Sequence, residues 1–140
     1  MNKMAKNEKE VKNNMFGFGD ENVAYAKYFQ GTSYLNGLVA PDDNIDVSVA
    51  NVSFEPGARN DWHEHHGYQI LMCTGGEGWF QEEGKPAQLM KPGDVVEVHD
   101  GVKHWHGATK DSWFSHLAIT KGTTTWDEPV DSDYYNSLKD

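Results

Sequence analysis

The sequence predicts an all-β fold, a single domain built as a small antiparallel β-barrel or double-sheet jelly roll. Three observations predict it. Short apolar runs recur between residues 46 and 120, turn formers separate them about every eight to twelve residues, and no long segment shows a helical period. A chain of 140 residues has the length of one domain and can bury a single core.

Two segments, 1–20 and 23–43, precede the central range 46–120. Residues 1–20 are polar and rich in lysine, and we expect them to form an N-terminal arm that is disordered or docks on a partner subunit. Residues 21–140 form the barrel domain, with its central motifs within 46–120. Between residues 23 and 43 aromatic side chains mix with turn formers, a pattern typical of an early strand or lid followed by a loop.

The central segment predicts strands one after another. The apolar alternation over 47–54 changes phase, which indicates a bulge near Ala50 and Asn51. Glycine-containing turns separate the other expected strands, which cover 62–74, a stretch from 79, 88–90, 95–98, a stretch from 104, and 113–119. The C-terminal tail predicts one short helix capped by Asp131 or Ser132.

Composition limits the possible partners. The formal net charge is −10 and Lys and Arg do not cluster, so we expect neither nucleic acid nor an anionic membrane as a partner. The one cysteine, Cys73, cannot form an internal disulfide and lies in an apolar run, as a buried small hydrophobe does. No stretch is apolar enough to span a bilayer and no signal peptide is visible, which predicts a cytoplasmic protein.

All seven histidines fall between His63 and His116, and this clustering predicts a metal site. The pairs His63/His65 and His104/His106 have i, i+2 spacing, so on strands each pair points to one face. Gln69 shares the parity of His65. Three imidazoles and one amide oxygen, from His63, His65, His104 and Gln69, can therefore converge on one divalent cation, with Mn, Fe, Co, Ni and Zn all suited to such donors.

All four predicted ligands are uncharged. A bound divalent ion would therefore keep its full charge inside a barrel of low dielectric and would attract an alkoxide, enolate or carboxylate. The alternative is a set of hydrogen-bonded core histidines that hold no metal.

Three further residues are candidates for chemistry. His106 shares the inward phase of His104, and His116 lies on the last core strand, so either could move protons as a base or could instead hydrogen-bond the backbone. Arg59 could bind a substrate carboxylate or form a salt bridge on the rim. His66 and His99 fall off the inward phase and are expected at the surface.

The spacing of these residues resembles the two cupin motifs. The first resemblance is Gly57, five residues, His63, one residue, His65, three residues, Gln69, six residues, Gly76. The second is Gly93, five residues, His99, one residue, Gly101, two residues, His104. The chain departs from the cupin pattern where many members have glutamate (Gln69), proline (His99) or asparagine (Ala108).

Within the cupins, the sequence is similar to those of small bacterial manganese-dependent hydroxynitrile lyases and of carboxymuconolactone decarboxylase-like cupins. The stretches that carry this similarity are FEPGARNDWHEHHGYQILMCTGGEGW, KPGDVV and GVKHWHGAT. The resemblance implies a manganese ion and a lyase that acts on a small oxygenated substrate. Its sharpest form is cyanohydrin cleavage, in which His106 takes the proton of a substrate hydroxyl held at the ion and His116 assists the departing cyanide.

Two alternatives remain open. One is a decarboxylase or isomerase of a small keto acid or lactone that uses the same cation, and the other is a metal-dependent barrel that binds a small molecule and catalyses nothing. Replacement of His106 by alanine should abolish the rate and spare the metal content only if the protein is an enzyme. We also predict a homodimer or higher homo-oligomer, with Trp105, outward by parity, available to face a partner.

Overall fold

Short strands make up most of the regular structure in the computed structural model, which describes residues 5–139. The elements, in chain order, are α1 (Glu8–Lys12), β1 (Asp20–Glu21), β2 (Phe29–Gln30), β3 (Ser33–Val39), β4 (Ser48–Phe54), β5 (Arg59–Asn60), β6 (His63–His65), β7 (Tyr68–Gly76), β8 (Gly78–Glu82), β9 (Gln88–Met90), β10 (Val95–Val98), β11 (His104–Ala108), β12 (Phe114–Lys121), β13 (Thr124–Trp126) and α2 (Ser132–Ser137). One 3₁₀ turn covers Ala26–Tyr28. No helix among these residues is long and apolar enough to cross a membrane.

The strands form two sheets. One has six strands in the order β1-β3-β4-β12-β7-β10, and the other has the path β13-β6-β11-β5-β2, with β8 paired to β11 and β9 paired to β8. Every pair of named strands is antiparallel. The predicted all-β antiparallel fold is therefore confirmed.

The main core lies between the two sheets because their inward faces carry the alternating apolar residues. Its largest buried members are Phe54, Leu71, Val98 and Phe114 of the six-stranded sheet and Met90 of the seven-stranded sheet. Cys73 is a buried, free thiol in the same cluster, as predicted. Close packing of these side chains fixes the distance between the sheets. A cavity lined by residues of both sheets lies beside this core.

The predicted strand 62–74 is two strands in two different sheets. The chain leaves β6 at His66 and enters β7 at Tyr68, passing through Gly67. A Cβ atom at Gly67 would lie 2.2 Å from the carbonyl oxygen of Lys121, so only glycine fits this crossing. The crossing places His65 and Gln69 on facing sheets.

The predicted bulge near Ala50 and Asn51 lies on the neighbouring strand instead. β4 pairs with β12 without interruption, whereas β3 shifts register between Gly37 and Val39 opposite Ala50. The apolar phase changes along β4 because both of its faces are buried. Asn51 on the outer face is fully buried and donates from Nδ2 to the carbonyl oxygen of Gly17 at 2.9 Å.

The N-terminal segment contacts the chain's own six-stranded sheet. Residues 1–4 of the predicted arm lie outside the described residues. In the part that follows, Val11 of α1 is fully buried, and Asn14 donates from Nδ2 to the hydroxyls of Thr74 and Ser115 at 3.0 and 3.1 Å. Residues 5–20 thus cover the outer face of β7 and β12.

The C-terminal helix α2 covers the other sheet. Its predicted cap is confirmed, since Asp131 accepts the backbone N–H of Tyr134 at 2.9 Å. Trp105 does point away from the barrel interior, but it is fully buried in a cluster with Trp79 and Tyr135. The prediction that Trp105 faces a partner subunit is therefore wrong, because α2 of the same chain occupies that side, and the homodimer stays a prediction.

Candidate metal centre

The histidine pairs converge because β6 and β11 are neighbours in the seven-stranded sheet. His63 lies opposite His104 in their register, and the two ring centroids are 4.1 Å apart. The His65 ring lies 5.1 Å from His63 and 5.2 Å from His104. All three side chains are buried, and Glu64 between them points outward, as strand alternation predicts.

Gln69 reaches the same point from the six-stranded sheet. Its Oε1 lies 3.2 Å from Nε2 of His104, while its Nε2 donates to the hydroxyl of Thr120 at 2.9 Å. Gln69 thus lies beside His104, but shared parity along one strand is not the cause, and the group of histidines that could hold a metal ion is His63, His104 and His106, without His65. The chain crosses between sheets at Gly67, and the facing sheet brings Gln69 back toward His104.

Each of these side chains is anchored through the polar atom that faces away from the centre. His63 Nδ1 contacts the carbonyl oxygen of Asp61 at 2.7 Å, and His104 Nδ1 contacts that of Val102 at 3.0 Å. A carbonyl oxygen only accepts, so both neutral rings carry their proton on Nδ1 and present a bare Nε2 lone pair. Such outer partners orient metal-binding histidines.

The exposed lone pairs fit a cation. Nε2 of His104 and Oε1 of Gln69 lie 3.2 Å apart, so two atoms that can each offer a lone pair to a cation meet at one point. Nε2 of His65 is buried without a hydrogen-bond partner, and its Nδ1 lies 3.0 Å from the hydroxyl of Thr124. The donor set therefore suits a divalent transition-metal ion.

His106 belongs to the same cluster. The ligand atoms of His63, His104 and His106 lie within 4.8 Å of one another, which makes these three histidines a group that could hold a metal ion. His106 also lies beside His116 of β12, whose Nε2 is 3.0 Å from His106 Nδ1. The structure thus places both predicted catalytic histidines next to the predicted ligands.

Burial keeps these histidines neutral. Loss of solvent contact is the main cause that lowers the pKa of His104 and of His116 to about 4. The same cause, followed by electrostatic repulsion between His106 and the neighbouring histidines when they are protonated, lowers the pKa of His106 well below its usual range. Neutral imidazoles can bind metal or accept hydrogen bonds, but His106 and His116 are weaker bases than a free histidine.

The cluster lies on the floor of a cavity of about 670 Å³. The opposite wall is mainly apolar and comes from β2, β3, β4 and β12, with Phe29, Leu35, Val49, Val52 and Ala118 among its side chains. None of the described lining residues is Lys, Arg, Asp or Glu. The cavity therefore offers a substrate an uncharged, largely apolar environment beside the histidines.

Arg59 does not line this cavity. Its side chain leaves β5 on the outer side, where the guanidinium lies 4.1 Å from the ring centroid of Tyr135 and donates to the Ser132 hydroxyl at 3.2 Å. The prediction that Arg59 binds a substrate carboxylate at this site is therefore wrong, because alternation along β5 turns its side chain toward α2. His66 and His99 are exposed, as predicted.

Three polar residues of the site were missed by sequence reasoning. Thr120 shares the inward phase of His116, which could have indicated its contact with Gln69. Thr124 lies on the three-residue strand β13 and Asn60 on the two-residue strand β5, and strands this short carry no readable alternation.

Comparisons with known proteins agree with this architecture. The cupin domain model (Cupin_2) matches residues 50–120. An (R)-mandelonitrile lyase from Granulicella tundricola is 41% identical over 114 residues, which cover 79% of this chain and 87% of that protein. A solved cupin-like protein from Thermotoga maritima MSB8 is 38% identical and covers 87% of this chain and 94% of its own, with a TM-score of 0.81.

More distant structures share the fold alone. A predicted oxalate decarboxylase from Thermotoga maritima has 22% identity and a TM-score of 0.66, covering 74% of this chain and 93% of its own. The two motifs, the two antiparallel sheets and the converging histidines together agree with the matched domain model. The chain therefore belongs to the cupin family.

Proposed function

We propose that this cupin is a metal-dependent lyase that acts on a small oxygenated substrate, and that cleavage of a hydroxynitrile is its reaction. One observation carries the proposal, and a second agrees with it. The chain is 41% identical to an (R)-mandelonitrile lyase, and its histidine cluster faces a cavity without charged side chains among the described residues. A neutral cyanohydrin with an apolar substituent suits such a cavity.

In this proposal His63, His65, Gln69 and His104 hold one divalent ion. Manganese is favoured by the family resemblance, with Fe, Co, Ni and Zn as alternatives. When bound, such an ion supplies a Lewis acid that polarises a substrate oxygen. The anchoring contacts of Asp61, Val102, Thr120 and Thr124 hold the four donors in place.

The chain's own residues perform the proton transfers. His106 accepts the proton of the substrate hydroxyl, the bond between the carbinol carbon and the nitrile carbon breaks, and its electron pair leaves on cyanide as the carbonyl forms. His116, in contact with His106, assists the return of that proton to cyanide. The apolar wall that includes Val52 and Ala118 orients the substituent and excludes water.

The alternative enzyme is a decarboxylase or isomerase of a small keto acid or lactone. It receives less support, because a substrate carboxylate finds no Arg or Lys among the described residues that line the cavity. A barrel that only binds a small molecule has no use for a second pair of buried histidines beside the ligands. The contact between His106 and His116 therefore favours an enzyme.

The test combines metal analysis with turnover. We expect the purified protein to contain about one divalent ion per chain and to release cyanide from mandelonitrile. His106→Ala should lower kcat by about 100-fold or more at unchanged metal content, because a general base is lost. The exposed His99→Ala serves as the matched control. Metal without cyanide release from any cyanohydrin, or turnover of keto acids instead, would reject the hydroxynitrile reaction.

A further inference from the structure

Asn60 makes the closest side-chain contacts to His106 outside the histidine cluster. The residue is 2% exposed, lines the cavity and lies on β5, beside the strand that carries His106. Its Oδ1 lies 2.9 Å from the backbone nitrogen of His106, and its Nδ2 lies 3.2 Å from ring atom Nε2 and 3.4 Å from Nδ1.

The orientation of the Asn60 amide follows from these contacts. The backbone N–H of His106 only donates, so the amide oxygen must face it and the amide nitrogen must face the ring. The two nearly equal distances place this N–H over the face of the imidazole rather than along one lone pair. On another edge, Nδ1 contacts Nε2 of His116 at 3.0 Å.

His106 could take two different roles at this position. Its ligand atom lies within 4.8 Å of those of His63 and His104, so a modest rotation of the ring would let it bind an ion held by them. A histidine bound to the ion cannot also accept a proton from the substrate. Something must therefore hold the ring in place if His106 is the base, and the Asn60 amide and His116 are the groups within hydrogen-bond distance of the ring.

We propose that Asn60 is a positioning residue that holds the His106 ring off the metal ion and free to accept the substrate proton. The role in proton transfer rests on the proposed function, whereas the restraint on the ring does not. The amide acts at two points, since it fixes the backbone of His106 through Oδ1 and the ring through Nδ2. Substitution of Asn60 should let His106 become an additional ligand.

The experiment uses the protein loaded with Co²⁺, whose visible absorption reports coordination number and geometry. We expect Asn60→Ala to change this spectrum relative to the unmodified protein, because His106 joins the ion, and the change should be absent from Asn60→Ala combined with His106→Ala when compared with His106→Ala alone. An unchanged spectrum in Asn60→Ala, or a change that persists in the double variant, would overturn the proposal.

Turnover supplies the second measurement. The loss of an orienting contact should lower kcat by about 10- to 100-fold with a smaller change in KM. Asn60→Asp keeps an acceptor for the His106 backbone N–H, but its carboxylate cannot donate to the ring, so this variant should also lose turnover. Full kcat in Asn60→Asp would contradict the role of the amide N–H. The Co²⁺ spectra remain decisive even if no cyanohydrin is cleaved.

Discussion

At the scale of single residues, Tyr34 and Glu55 show how one hydrogen bond couples stability to pH. The Tyr34 hydroxyl donates to Glu55 at 2.6 Å, and this bond, together with burial, raises the pKa of Tyr34 from 10.0 to about 12. The phenol ionises at a higher pH in the fold than in the unfolded chain. The stabilising effect is therefore complete below pH 10 and is lost as the pH rises through about 12.

We expect Tyr34→Phe to lower the free energy of unfolding by about 1 kcal/mol at neutral pH, the value of a partly exposed hydrogen bond. The difference from the unmodified protein should vanish above the raised pKa. Denaturant unfolding at neutral and alkaline pH measures both effects. The exposed Tyr25→Phe is the control, and an equal loss in both variants would show that the Glu55 bond is not the cause.

Single residues also show what the sequence can predict about the site. His63, His65, His104 and His106 were predicted to share a face in pairs because i, i+2 spacing on a strand has one geometric meaning, and His116 was predicted from its phase on the last core strand. Arg59 was placed incorrectly and Asn60 was missed, since both lie on a two-residue strand with no neighbours from which to establish the phase. Gln69 was predicted from its shared parity with His65, but its position also depends on the crossing between sheets at Gly67.

At the scale of elements, the helix α2 stabilises the outer face of the seven-stranded sheet. Asp131→Ala removes its N-cap and should lower the free energy of unfolding by about 1 kcal/mol. Denaturant unfolding followed by tryptophan fluorescence suits this measurement, because α2 covers Trp105. Asn136→Ala, an exposed position in the same helix, should stay within about 0.5 kcal/mol of the unmodified protein. An equal effect of both changes would exclude the cap as the cause.

Elements also differ in how well the sequence predicts them. Strands such as β10 and β12 show enough alternation to be recognised, and the sequence limited the α2 cap to Asp131 or Ser132, of which the structure has Asp131. The short strands β1, β2 and β13 form because β3, β5 and β6 offer them unpaired backbone groups. A segment of two or three residues shows no sequence pattern from which such pairing can be predicted.

At the scale of the whole molecule, a bound ion should raise the stability of the entire domain. A ligand that binds only the folded state at about 100 times its Kd adds about 2.7 kcal/mol, which for a chain of this size raises Tm by on the order of 10 °C. We expect this shift when Mn²⁺ is added to chelator-treated protein and followed by thermal unfolding.

Variants make this test specific to the site. His104→Ala should lose the shift, whereas His99→Ala, which removes an exposed histidine, should keep it. An equal shift in all three proteins would mean that Mn²⁺ binds elsewhere. The result would then count against the four-donor site proposed for the barrel interior.

The position of the donors on both sheets has a mechanical consequence. Gln69 belongs to the six-stranded sheet, whereas His63, His65 and His104 belong to the seven-stranded one. An ion bound to all four would cross-link the two layers beside the cavity. The width of the substrate chamber would then depend on the ionic radius of the metal, so that exchanging one metal for another would alter which substituents fit.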